Sequence, residues 1–360
     1  MTLKATPFHA RAAEANRCNA WQNRGGYTLA AHYGDGAEEA MAARFGAVLV
    51  DLSWQWRVQV TGAKVEDFAA RCFSRDPATL KPGAALEALW LNDAGAVRGA
   101  GTVVRFGREA FVLLAAGEDR AWLEEAVLLF DVAVAPAAEG MLAVIGPMAE
   151  KILRAAGLGT PAPMTLHRLA WGGLEITLSR LGLGFEIGCD ADDALIVWDR
   201  LRKAGRAFAL LPAGLEAFDT LEFESGLLRA SRDFAPARDG FAPQPVPQAL
   251  GLCALVDRAH YFNGRAGFLA AGPDTRLTGL LFEEDAAAAN TKLTQDGRVV
   301  GRVLVCRYSP ALQQHAAIAM LNGPLSGRLQ AGGVGCRAVP LPLLPLPSPA
   351  AATENPSPAV

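Results

Sequence analysis

RVQVTGAKVEDFAARCF, residues 57–73, opens as an alternating strand, breaks at a glycine and continues with apolar residues at helical spacing. The same grammar returns in LAVIGPMAEKILRAAGL, residues 142–158: a strand, a glycine, a small residue or proline, then an amphipathic helix with an acidic residue in its opening turn. An internal echo of this kind predicts an α+β chain with two related halves, not a doubly wound sheet. Between the echoes, AVRGAGTVVRF (96–106) and AFVLLAAG (110–117) are strand-like and are joined by the short turn GRE, which reads as a hairpin.

That hairpin carries LNDAGAVRGAGTVVRF (91–106), whose glycines at 95, 99 and 101 invite a phosphate-loop reading. A dinucleotide loop places its glycines between a strand and a helix. Here a strand follows, so these glycines relax a hairpin instead. Further on, LEITLSRLGLGFEIGCD (174–190) is again strand–turn–strand, followed by a helix in ADDALIVWDRLRKAG (191–205). Proline and glycine accumulate over 232–251, and RLTGLLFE, GRVVGRVLVCRYSP and HAAIAML then predict a small barrel-like domain. Proline-dense PLPLLPLPSPAAATENPSPAV (340–360) is expected to end ordered structure near Leu346. The organisation expected is therefore 1–50 with 140–245, 51–139 carrying the hairpin 91–116, a barrel over 251–342, and a disordered tail over 343–360.

The chain has 360 residues, 51% of them hydrophobic, and a formal net charge of −3, which removes the basic footprint of a nucleic-acid binder. No apolar run reaches the length of a membrane span, and the N-terminal stretch lacks a signal-like apolar core. Six separated cysteines without a C-x-x-C pair read as reduced thiols of a cytoplasmic protein. His9, His32, His167, His260 and His315 show no metal-ligand spacing, so no metal is expected, and no G-x-S-x-G elbow marks a serine hydrolase.

Three features carry chemistry on two readings each. Glu186 alternates with Phe185 and Ile187 in an apolar strand, so it either faces solvent or is paired inside a pocket. Trp54 and Trp56 share one strand face, as packing or as a pocket wall able to hold a cation. Arg105 ends the hairpin as an exposed charge, or as a fork that would hold a substrate carboxylate.

Taken in order, the segments resemble the aminomethyltransferase superfamily, that of the glycine-cleavage T-protein. The resemblance rests on TPFH near the start, EEAMAARFGAVLVDLS (38–53), VTGAKVEDF, VIGPMAEKIL, LGFEI, FDTLEFESG (218–226), YFNGRAGFLAAG and GRVVGRVLVCRYSPAL, and covers roughly residues 5 to 342. It implies a T-protein-like fold with ferredoxin-like halves and a small C-terminal β-barrel around a central folate channel, with tetrahydrofolate as cofactor. By the same resemblance Glu186 hydrogen-bonds the pterin's amino-pyrimidine edge, and Gln55, Leu114, Ser179 and Phe218 fall at folate-region positions. Trp54, Trp56, Ala100 and Arg105 are the substrate-side candidates, and Gln55, Arg105 and Tyr261 the candidates for a catalytic role.

The departures from the family pattern shape the expected chemistry. Gly99 and Ala100 stand where the T-protein hairpin has paired aspartates, Phe218 where its R-D-x-L-R motif begins, and Ser179 where an aromatic residue is usual. Loss of these acids disfavours aminomethyl transfer and points to methyl transfer from a small O-, S- or N-methyl donor, best an onium compound whose leaving group departs neutral. A diverged aminomethyltransferase and a non-catalytic folate-binding protein are the alternatives. RAHYFNGRAG lacks the cysteine of the iron–sulfur-assembly relatives. Neither the donor nor the oligomeric state is written in the sequence.

Overall fold

The computed structural model describes residues 3–115, 119–230, 232–237, 245–272, 276–283, 286–323 and 328–346. It divides into two compact units, one of residues 1–54, 138–221 and 345–360, the other of 55–137 and 222–344. The expected barrel therefore shares a unit with the hairpin-bearing segment. Leu343 packs with that unit's apolar residues, and the Leu344 N–H donates to the Glu224 carbonyl at 2.8 Å, so the chain expected to be a tail from 343 begins packed. The rest of that segment, 347–360, lies outside the described residues.

The first unit is built on a six-stranded sheet, ordered Thr165–Trp171, Leu174–Arg180, Phe185–Cys189, Gly140–Ile145, Val48–Asp51, Leu211–Ala213. Every pairing is antiparallel except the last, which is parallel. Its central strands VLVD and GMLAVI are buried at every position because apolar material covers both faces. One face packs Leu142, Val144, Phe185 and Ile187 against Ile152, Val197 and Leu201 of the helices Ala149–Ala155 and Ala194–Gly205. The other packs Val50, Ala143 and Ile145 against Ala40 and Ala43 of the helix Gly36–Phe45 and Leu215, Phe218 and Leu221 of the helix Leu215–Glu224.

The second unit holds a five-stranded antiparallel sheet, ordered Ala85–Leu91, Val97–Gly107, Ala110–Ala115, Trp56–Thr61, Ala133–Pro136. It also holds a closed six-stranded barrel formed by residues 276–339. The two echoes found in the sequence start the two ferredoxin-like halves. Each runs strand, helix, an extra edge strand, hairpin, helix, returning strand. In the first unit Val48–Asp51 is inserted between the first and returning strands, which is why Leu211–Ala213 pairs parallel with it. Both echo glycines sit in the same unusual backbone region, Gly62 at φ +140° and Gly146 at φ +131°, and a Cβ at either would meet backbone oxygen. Only glycine permits that strand-to-helix turn.

Glu39 ties the helix Gly36–Phe45 to two loops. Its Oε1 accepts from the Tyr33 N–H at 2.6 Å and the Gly34 N–H at 3.2 Å, and its Oε2 accepts from the Gly214 N–H at 2.8 Å. Burial raises its carboxyl above the ordinary carboxylate range despite these donors. An acid whose folded value is raised binds its proton more tightly when folded, so its contribution is greatest below the ordinary value and declines as pH rises through the raised one. Urea titrations across mildly acidic pH are expected to show this falling limb, and Glu39→Gln to abolish it. The same change turns an amide NH₂ toward the Gly214 N–H and should cost about 1–3 kcal/mol at neutral pH. A variant that keeps the wild-type pH dependence would remove Glu39 as its origin.

Among the described residues no helix is long and apolar enough to cross a membrane, and no group of three or more His, Cys, Asp or Glu is placed to hold a metal ion.

Candidate functional site

In the first unit, the strand Phe185–Cys189 puts Phe185 and Ile187 into one core and Glu186 on the opposite face, as alternation requires. Glu186 is only 6% exposed, which sets aside the solvent-facing reading. Its cross-strand neighbours are small: Ser179 on one side and Ala143 on the other. The Ser179 hydroxyl donates to Glu186 Oε2 at 3.3 Å, and Ser179 is itself 1% exposed. In the turn before the strand, a Cβ on Gly182 would lie 2.9 Å from Glu186 Oε1. Glycine, alanine and serine around it thus leave room for the carboxylate itself. A planar ligand edge with two adjacent N–H donors fits such a group, because a carboxylate accepts two parallel hydrogen bonds.

The same face of the sheet packs Trp54 and Phe218 with Leu183 and Leu221. Arg24, on the strand Trp21–Arg24, lays its guanidinium over the Trp54 ring at 5.1 Å and forks onto Asp219 at 2.6 and 2.7 Å. Trp54 as a wall for a substrate cation is corrected here: an internal guanidinium already covers one face of its ring, and the residue is 5% exposed. Phe218 is corrected to a core residue at 3% exposure, with no polar group to offer a cofactor. Arg24 and Asp219 escaped the sequence reading. Asp219 is the acid kept in FDTLEFESG beside the lost arginine, but its partner lies 195 residues away and no local spacing links them.

The second unit shows what the hairpin glycines do. The Asn92 carbonyl and side chain accept from Gly95 N–H at 2.8 Å and Ala96 N–H at 2.9 Å, closing the turn of LNDAGAV. Gly99 lies opposite Trp90, and a Cβ on it would overlap the indole ring. That indole stacks on Trp122 at 5.4 Å and donates its Nε1–H to Asp119 at 3.1 Å, with Arg98 Nε 3.4 Å from the same carboxylate oxygen. Ala100 alternates to the other face and packs with Leu89, Val97 and Phe262.

The remaining candidates of that unit separate. Leu114, 8% exposed, stands opposite Arg57 and Thr102. Gln55 is half-buried in the turn before the strand Trp56–Thr61. Trp56 packs against the unit's core, with its indole N–H buried and unpartnered among the described residues. Arg105 as a holder of a substrate carboxylate is corrected: its guanidinium is engaged by Glu66 and donates to the Ala78 carbonyl. Tyr261 as a catalytic acid is corrected as well. Its ring is 65% exposed and stacked by Arg71 at 4.7 Å, in contact with water instead of held against a buried reacting group.

The profile of the family described as GCVT N-terminal domain matches residues 8–242. This chain belongs to the aminomethyltransferase (GCVT) family. The aminomethyltransferase of Frankia alni is 31% identical over 341 residues, covering 89% of this chain and 90% of the relative. That of Bacillus subtilis is 28% identical over 321 residues, covering 84% and 87%. The crystal structure of the glycine cleavage system aminomethyltransferase T from Bartonella henselae superimposes with a TM-score of 0.82 over 96% of this chain and 99% of that one, at 23% identity, which establishes the shared fold. Enzymes of the aminomethyltransferase family use tetrahydrofolate as one-carbon acceptor. Set against the family hairpin, the indole of Trp90 occupies the side-chain space at position 99.

Proposed function

We propose that this chain transfers a one-carbon unit from a small donor to tetrahydrofolate, with Glu186 as the anchor of the pterin. The observation that carries the reading is the buried Glu186 carboxylate, cleared by Gly182 and Ala143 and steadied by Ser179. Tetrahydrofolate, when bound, supplies the nitrogen that accepts the one-carbon unit. Glu186 accepts hydrogen bonds from adjacent N–H groups of the amino-pyrimidine, and Ser179 fixes the orientation of its carboxylate. Burial keeps water from competing for those hydrogen bonds. With the ring held, catalysis comes mainly from placing the donor carbon in line, which lowers a barrier by roughly 7–11 kcal/mol in well-oriented systems.

The relatives' shared activity name supports a diverged aminomethyltransferase. A second reading, methyl transfer from an onium donor to give 5-methyltetrahydrofolate, is favoured by one observation: positions 99 and 100 present glycine and alanine, and the space at 99 is filled by Trp90. Such a donor leaves as a neutral group and asks for no proton. Trp56, over whose ring no cation stands among the described residues, is the indole that would receive it.

Titration of tetrahydrofolate into wild type and Glu186→Ala is expected to show a roughly 10- to 100-fold loss of affinity, the size expected for charge-assisted hydrogen bonds. Equal affinities in two proteins with matching melting curves would remove the anchor. Incubation with tetrahydrofolate and a panel of aminomethyl, methylamine and onium donors then separates the readings. Methylene-tetrahydrofolate marks the first, methyl-tetrahydrofolate the second, and binding without either product marks a folate-binding protein that does not turn over.

A further inference from the structure

Away from the folate-side residues, a nucleophile and a base meet at the surface of the first unit. Of the six cysteines only Cys18 is exposed; the other five are buried or half-buried. Burial pushes the Cys72 thiol up to about 12 and the Cys336 thiol up to about 11, and raises that of Cys306, so these stay protonated and inert. Cys18 instead sits in a turn with its Sγ 3.6 Å from His32 Nδ1, and its thiol donates to Asn16 Oδ1 at 3.2 Å.

The turn is built to hold that approach. Asn16, 6% exposed, donates from Nδ2 to the Ala20 carbonyl at 2.8 Å and accepts from the Ala20 N–H at 3.2 Å. The Ala20 carbonyl also accepts from the Ala31 N–H at 2.9 Å, which pins the segment carrying His32 to the turn carrying Cys18. Glu39 interacts electrostatically with His32, and Tyr33 is its chain neighbour.

We propose that Cys18 is a thiol–disulfide exchange site for small disulfides, with His32 as the base that takes its proton. In the step, the Cys18 sulfur attacks one sulfur of the small disulfide, so that one S–S bond forms and one breaks. The Cys18 proton passes to His32 and then to the departing thiolate, which leaves as a free thiol. The small disulfide is the oxidant, Cys18 ends in a mixed disulfide, and excess thiol reverses the exchange.

Native full-length protein is treated with 5,5′-dithiobis(2-nitrobenzoate) over a series of pH values, and release of the coloured thiolate is followed. A fast phase is expected that Cys18→Ser removes. His32→Gln should slow that phase roughly tenfold near neutral pH and leave it within about twofold at a pH where any thiol is ionised. His32→Asn provides the same comparison if the glutamine variant does not fold, and melting curves must match wild type. Glutathione disulfide should then place its adduct on the Cys18 peptide, as read by mass spectrometry, and dithiothreitol should remove it. A fast phase that survives Cys18→Ser moves the site elsewhere. One that is indifferent to His32 near neutral pH leaves only an exposed thiol and overturns the proposal.

Discussion

Gly99→Asp, the change that puts a family acid back on the hairpin, is expected to destabilise the protein and to yield no gain in turnover. Position 99 has no room for it. A Cβ there would enter the Trp90 ring, which is 1% exposed and fixed by Trp122 on one side and by Asp119 at its Nε1–H. Two penalties combine. Overpacking a filled core typically costs 1–3 kcal/mol, and a second carboxylate brought to the indole edge that Asp119 already occupies adds like-charge repulsion. A loss of about 3 kcal/mol or more is expected in urea unfolding followed by tryptophan fluorescence. Pairing the change with Trp90→Ala should give a loss smaller than the sum of the two single changes, since the clash is the shared term. A single variant that unfolds like wild type would show that Trp90 yields easily and that its indole does not define the site.

Glu222→Ala is expected to be similarly severe for an electrostatic reason. In the second unit, Glu222 accepts from both Arg229 and Arg232, with Arg229 Nε at 3.0 Å and Arg232 Nη1 at 2.6 Å, and Arg232 also pairs with Asp233 at 2.5 Å. The four side chains are between 1% and 13% exposed. Removing that carboxylate leaves the two guanidinium groups buried without the acid that joins them. Breaking such buried pairs from one side typically costs 3–5 kcal/mol. Glu222→Gln keeps an acceptor oxygen and should lose less, and Glu222→Ala with Arg232→Met should recover part of the loss. Equal stability of the alanine variant and wild type would mean that water or relaxation replaces the pairings.

The local devices were legible in the sequence because they are local. The paired strand–glycine–helix segments and the barrel-forming strands follow from periodicity over a few residues, and so does the face on which Glu186 lies. What escaped was each fact that depends on residues far apart along the chain. Arg24 and Asp219 meet across 195 positions, and Glu66 reaches Arg105 across 39. Both pairings change the meaning of a candidate: Arg24, held by Asp219, covers the Trp54 ring, and Glu66 engages Arg105.

Periodicity and punctuation determined that this protein would build two related α+β halves and a small barrel, and that position 186 would carry a carboxylate apart from its apolar neighbours. Whether that carboxylate faced water or a cavity depended on what packs over the sheet, as did which indole, arginine or tyrosine stayed available. The tertiary structure decided those matters because burial, hydrogen-bond satisfaction and steric volume are properties of a neighbourhood assembled from distant segments. LNDAGAVRGAGTVVRF reads as a hairpin from its own residues, but why position 99 is glycine is written in Trp90, on the strand paired with it.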